Sequence, residues 1–201
     1  MQRRHLVIFT RAPRLGTGKR RLAAGIGAAA ALKFQRVSLE HTLRRLSYDR
    51  RWKTWLAVTP DRSGSWPRHC NTLPQGQGNL GDRLTRVIER LPAGAILIIG
   101  SDTPTVTCAL IAKAFHCLDG HDAIFGPAVD GGYWAIGLRR RARNCIPFGG
   151  VRWSTKHALG DTVQNLTDCS IAFLPQLEDV DDAASLSRFP HWNLLHGPHF
   201  T

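Results

Sequence analysis

With 201 residues and a formal net charge of +12, the chain is long enough to bury one sizeable core, reads as a single domain over residues 1–201, and is basic enough to attract anionic ligands. No apolar run approaches the roughly 18 residues of a membrane span, and the short run after Arg3 and Arg4 is cut by Thr10 and Arg11, which argues against a signal peptide. Five cysteines (Cys70, Cys108, Cys117, Cys145, Cys169) form no CxxC pair, so neither a zinc knuckle nor a disulfide framework is expected, and reduced thiols point to a cytoplasmic protein.

Residues 5–10 read as a short buried strand, followed by the basic loop Arg11 to Arg21. A Walker A loop needs GxxxxGKS or GxxxxGKT; Pro13 stands at its first glycine and Arg20 at its hydroxyl, so a kinase or ATPase reading fails. A glycine-bearing loop between strand and helix still exposes backbone N–H groups to phosphate, which makes Arg11, Gly16, Gly18, Lys19 and Arg21 candidate nucleotide contacts. The alternative is a basic surface loop. Residues 28–46 have helical spacing, with Leu32, Val37, Leu39, Leu43 and Leu46 on one face, and 52–59 read as a second strand. In PQGQGNLGDRL (74–84) glycines crowd the start of a helix expected at 80–91, where backbone can approach a ligand closely; Gly78 and Gly81 are the candidates.

The third strand, 95–100, ends on Gly100–Ser101–Asp102–Thr103–Pro104. It delivers a carboxylate to the C-terminal edge of a sheet, where open α/β sheets bind their ligands. One Asp there suits Mg²⁺ or Mn²⁺ carrying nucleotide phosphates, with Ser101 beside it as a nucleotide contact; a plain turn is the alternative. A helix at 107–118 and a strand at 122–126 lead to Asp130–Gly131–Gly132–Tyr133–Trp134, which gathers a carboxylate, two glycines and two rings in one turn. A hairpin turn needs the Asp and Gly but not the rings. Residues 133–138 follow so directly that an antiparallel addition is expected. After a late strand at 171–174, Asp179, Asp181 and Asp182 compete for the place of second metal ligand, and an N-cap ahead of a helix at 183–189 accounts for at least one of them. Strands alternating with helices define an α/β chain, a doubly wound, mostly parallel sheet with helices on both faces.

Much of the positive charge lies in short runs (Arg44–Arg45, Arg50–Arg51, Arg139–Arg141) where segments end, and only Trp52 and Trp55 stand near them. The stacking platform of a single-strand binder is therefore not evident, and nucleic acid is not an expected partner. Trp52, Trp55 and Trp66 are interface candidates if exposed.

Taken in order, FTRAPRLGTGKRRLAAGIG, PQGQGNLGDRL, LIIGSDTPTV, IFGPAVDGGYWAIGL, FGGVRWST and LEDVDD resemble a bacterial family of GT-A-like proteins, some of whose members are assigned as arsenosugar-biosynthesis glycosyltransferases. The resemblance runs from about Leu6 to Phe189. It implies a nucleotide-diphospho-sugar transferase fold whose N-terminal sheet cradles a nucleotide while a divalent metal bridges the phosphates. By position, Lys19 and Arg21 match the family's basic pair near the phosphates, Asp102 its metal-binding acid, Asp130, Gly131, Gly132 and Tyr133 its acceptor-side motif, and Trp153–Ser154–Thr155 a further signature. The implied activity is metal-assisted transfer of a sugar from a nucleoside diphosphate sugar to a small-molecule acceptor. Lys19 and Arg21 would stabilise the departing diphosphate. Asp130 would be general base or second metal ligand, a place for which Asp181 competes. Nucleotidyl transfer with release of pyrophosphate is the rival on the same fold, and non-catalytic nucleotide or nucleic-acid binding is a third reading. The chain departs from the family in having Arg20 where Thr is usual, Leu15 where Pro is usual, and Asn79 where an acid is common.

Overall fold

The apolar run at 95–100 forms a strand whose alternate side chains enter two cores, Ile96 and Ile98 on one face and Leu97 and Ile99 on the other. That is the burial of a parallel strand covered by helices on both sides. The structure, a computed structural model, describes residues 3–61, 66–67, 70–139 and 146–192; Cys145, Arg140 and Arg141 lie outside them. The elements are β1 (Arg4–Arg11), α1 (Arg20–Ile26), α2 (Ala28–Leu46), β2 (Lys53–Thr59), β3 (Asn71–Pro74), α3 (Leu80–Arg90), β4 (Ala95–Gly100), α4 (Cys108–Gly120), β5 (Ala123–Pro127), β6 (Tyr133–Arg139), α5 (Ala158–Gln164), β7 (Ile171–Phe173) and α6 (Ala183–Ser187).

The strands make one sheet in the order β3-β2-β1-β4-β6-β5-β7. All neighbours pair in parallel except β6, which runs antiparallel to both β4 and β5. The cause is chain length. Only residues 128–132 separate β5 from β6, far fewer than the dozen or so that a parallel crossover needs. One face is closed by α2 and α4, through Leu39, Leu43, Leu46, Ile111, Phe115 and Leu118, the other by α3 through Leu84, Val87 and Ile88. Trp52 belongs to the first core and donates to the Leu46 carbonyl, and neither Trp55 nor Trp66 is exposed. No helix among the described residues is long and apolar enough to cross a membrane.

What matters for a site is where the chain reverses its order. From β1 it proceeds through β2 to β3, then returns to place β4 on the other side of β1. The loops that leave the C-terminal ends of β1 and β4 therefore flank a crevice, the usual place for a ligand in an open α/β sheet.

Candidate functional site

The loop after β1 carries Lys19 and the loop after β4 carries Asp102, and the two meet. Lys19 Nζ donates to Asp102 Oδ2 at 2.7 Å and to Asp181 Oδ1 at 2.6 Å. Asp181 arrives from the segment after β7, which is fastened to the end of β4 by the Val180 N–H donating to the Asp102 carbonyl at 3.0 Å. Its second oxygen is taken by Arg21. Asp179 completes the group: Asp102, Asp179 and Asp181 each offer a carboxylate oxygen, all within 4.8 Å of one another.

The neighbouring acids of this segment are used elsewhere. Glu178 pairs with Arg188, and Asp182 caps α6, accepting from the Ser185 N–H at 2.7 Å while Ser185 Oγ accepts from the Asp182 N–H. One of the three competing aspartates is thus an N-cap, as expected, and two face Asp102.

Asp179 is the acid that bears the cost of this crowding. Burial first, and then the charges of Asp102 and Asp181, push Asp179 up to about 6, with Lys19 pulling the other way. Burial also opposes the charges of Lys19 and Asp181, but their ion pairs outweigh it: Asp102 and then Asp181 raise the Lys19 ammonium well above its ordinary value, and Asp181 is held low by Lys19 and Arg21. A stability prediction follows. Asp179 has an ordinary value of 3.8 and a folded value of about 6, so its charge penalises the folded state fully above pH 6, and the penalty fades as pH falls from 6 toward 3.8. Asp179→Asn should therefore stabilise the metal-free protein at neutral pH by about 1–2 kcal/mol after discounting its partial exposure. The gain should vanish near pH 4, and thermal melts of both proteins across this range would read it.

Beside the acids lies a cleft of about 410 Å³ lined by Phe9, Thr10, Arg11, Gly18, Lys19, Arg21, Gln35, Ser38, Ser101 and Asp102 among others. Its floor is hydroxylic. Thr10 Oγ1 and Ser101 Oγ are 3.0 Å apart, and Ser38 Oγ donates to the Ser101 carbonyl at 2.7 Å. Of the candidates in the sequence, Arg11, Gly18, Lys19, Arg21, Ser101, Asp102 and Asp181 come together here.

The others stand apart. Gly16 lies on the same loop at φ 75° with open space around it. Gly78 and Gly81 do not line this cleft, and each is glycine for a local reason: Gly78 stands at φ 104°, and a Cβ on Gly81 would meet Phe148 at 3.0 Å. Asn79 caps α3, its Oδ1 accepting from the Asp82 N–H while the Asp82 carboxylate accepts from the Asn79 N–H.

Asp130 sits exposed in the β5–β6 turn on the same sheet edge, near enough for its charge to raise Asp179. Its Oδ1 accepts from the Gly132 N–H at 2.8 Å. Gly131 is at φ 86°, and a Cβ there would strike the Lys156 backbone at 2.5 Å, so only glycine fits. Tyr133 packs edge-on against Phe125 and Trp153, with ring centroids 5.5 and 6.4 Å away, and burial pushes its hydroxyl up. Tyr133 and Trp153 thus form one aromatic group behind the turn.

Gln35, Ser38 and Gln75 were not singled out by the sequence. Gln75 is fully buried and donates to the carbonyls of Thr10 and Ala57 at 2.9 and 2.7 Å, tying the ends of β1 and β2 beneath the loop. Its place shortly before the Gly78 turn, after a strand too weak to read, gave little sign of this.

A mostly parallel sheet with a single antiparallel strand, and a carboxylate group at the crevice, is the nucleotide-diphospho-sugar transferase-like fold. Over residues 42–155 the chain matches a family described as uncharacterized proteins conserved in bacteria, DUF2064, and it belongs to that family. A protein of Desulfovibrio desulfuricans G20, provisionally named a nucleotide-diphospho-sugar transferase, superposes with a TM-score of 0.84 at 25% identity, covering 96% of this chain and 90% of its own. More distantly, 2-C-methyl-D-erythritol 4-phosphate cytidylyltransferase from Thermus thermophilus gives 0.57 at 15% identity over 94% of this chain and 97% of its own. CMP:2-keto-3-deoxy-manno-octonic acid synthetase, solved with CTP, gives 0.55 at 12% over 93% and 96%. These two share the fold. No curated protein matches the chain in sequence.

Proposed function

We propose that the protein is a transferase that takes a nucleoside diphosphate sugar as donor and passes the sugar to a hydroxyl group of a small-molecule acceptor, with Mg²⁺ or Mn²⁺ held by Asp102, Asp179 and Asp181. The observation that carries this reading is the acidic triad at the β1/β4 crevice, with Arg11, Lys19 and Arg21 beside it. Carboxylate oxygens are the donors that Mg²⁺ and Mn²⁺ prefer, and a triad whose members disfavour one another's charge fits a dication. When bound, the ion would supply positive charge against the donor's diphosphate.

Arg11, Lys19 and Arg21 bind and orient that diphosphate and stabilise the charge it gains as the bond from the sugar's anomeric carbon to phosphate oxygen breaks. The acceptor oxygen forms the new bond to that carbon, and Asp130 takes its proton. Gly131 and Gly132 keep the turn open to the acceptor, and Tyr133 and Trp153 brace it from behind.

Nucleotidyl transfer is the second reading, supported by the fold likeness to two cytidylyl-transferring enzymes. The product separates them. Incubation with Mn²⁺ and a panel of nucleotide sugars should release nucleoside diphosphate. Pyrophosphate release from nucleoside triphosphate and a phosphorylated acceptor would favour the second reading, and nucleotide binding with release of neither product would make the protein a binder.

A further inference from the structure

The ammonium of Lys19 lies between two of the three acids. It contacts one oxygen each of Asp102 and Asp181, and its side chain is only 12% exposed. With Arg21 on the second oxygen of Asp181, two of the three acids are paired with two basic side chains. The backbone is arranged to deliver Lys19 there. It stands just ahead of α1 in the left-handed region (φ 41°, ψ 44°), with no side-chain cap, after Gly18 at φ 70°. For an L residue with a long side chain this conformation is disfavoured and persists only where surrounding contacts impose it. The contacts on offer are the two carboxylates and the Ala23 N–H, which donates to the Lys19 carbonyl at 2.9 Å. Gly16 and Gly18 give the loop freedom to redirect the residue when the carboxylate contacts are lost.

We infer that Lys19 is a built-in counter-ion that competes with the divalent cation for Asp102 and Asp181, and that metal entry releases its ammonium into the cleft to meet the donor's diphosphate. The inference rests on the metal reading above. Two positive centres cannot share the same pair of oxygens without strong repulsion, so one must leave. Lys19 faces the cleft, where a diphosphate offers the partners it has lost. Metal and diphosphate then bind cooperatively through one side chain, each raising the affinity for the other by the same factor.

Mn²⁺ binding to wild type and Lys19→Met, followed by electron paramagnetic resonance with and without UDP, tests this. The variant should bind Mn²⁺ about tenfold more tightly without nucleotide, and the gain in Mn²⁺ affinity on adding UDP should shrink toward none. A second measurement uses the wild type alone. Labelling of amines with an activated ester, read by mass spectrometry, should be slow at Lys19 relative to exposed Lys113 and several-fold faster at saturating Mn²⁺. If wild type binds Mn²⁺ but folded Lys19→Met binds it no more tightly, the competition is overturned and the metal reading stands. Should the variant not fold, unchanged Lys19 labelling at saturating Mn²⁺ overturns it equally. If neither protein binds Mn²⁺, with or without UDP, both readings fall together.

Discussion

Asp102→Asn should abolish the contribution of metal to nucleoside diphosphate binding while leaving the fold intact. The residue's structural duty lies in its backbone, whose carbonyl accepts from Val180 and fastens the β7 segment to β4; the amide preserves that bond. Its carboxylate does something different, offering one of three oxygen donors and one of the two partners of Lys19. Since removal of even an outer partner of a metal ligand weakens metal binding by about 10–100-fold, loss of a ligand charge from a set of three should be at least as severe. Calorimetric titration of a nucleoside diphosphate with and without Mn²⁺, beside a thermal melt, would read both halves of the expectation. A folded variant that keeps its metal-dependent affinity would remove Asp102 from the metal site.

The elements most legible in the sequence are those with strong periodicity. Residues 28–46 and 95–100 form a helix and a strand with the expected bounds, because an apolar face or run of that length has few other uses. The antiparallel strand at 133–139 could be anticipated because the turn before it is short. Three elements were not legible. Strand β3 is four half-exposed residues ending on a proline, too short to show alternation. Helix α1 starts from a left-handed lysine and contains Gly25, so neither cap nor propensity marks it. Helix α5 contains Gly160 and is held by tertiary contacts, with Asp161 bound by Arg152 and the Leu159 N–H donating to the Gly131 carbonyl.

For the candidate site, local pattern singled out Asp102 and Asp130 but could not sort the run of acids 178–182. Sorting depends on distant partners: Arg188 claims Glu178, the first turn of α6 claims Asp182, and what remains faces β4. Lys19 illustrates the same limit. Its partners lie 83 and 162 residues along the chain, and as a residue of a basic loop it gives no sign that it is turned inward onto carboxylates. Read by position it belongs with the phosphates; its pairing with the acids is visible only in the fold.

Asp130→Asn should lower turnover by about 10²–10⁴-fold with donor and Mn²⁺ affinity nearly unchanged, the signature of a general base that acts on the acceptor and not on the donor. Its setting supports this division. Asp130 is exposed at the tip of the β5–β6 turn, its Oδ1 held by the Gly132 N–H, and it lies outside the group of oxygens within 4.8 Å of one another that Asp102, Asp179 and Asp181 form. The turn itself is braced by the close packing of Gly131 on Lys156 and by the Tyr133–Trp153 contact. Asparagine can keep the Gly132 contact, because its amide oxygen accepts as the carboxylate does, so the variant removes the base without dissolving the turn. Steady-state kinetics with the donor identified by its nucleoside diphosphate product, together with Mn²⁺ titration, would separate the roles. Loss of rate accompanied by loss of Mn²⁺ affinity, partly restored by excess Mn²⁺, would make Asp130 a metal ligand. Normal rate with normal Mn²⁺ binding would reduce it to the residue that shapes the turn.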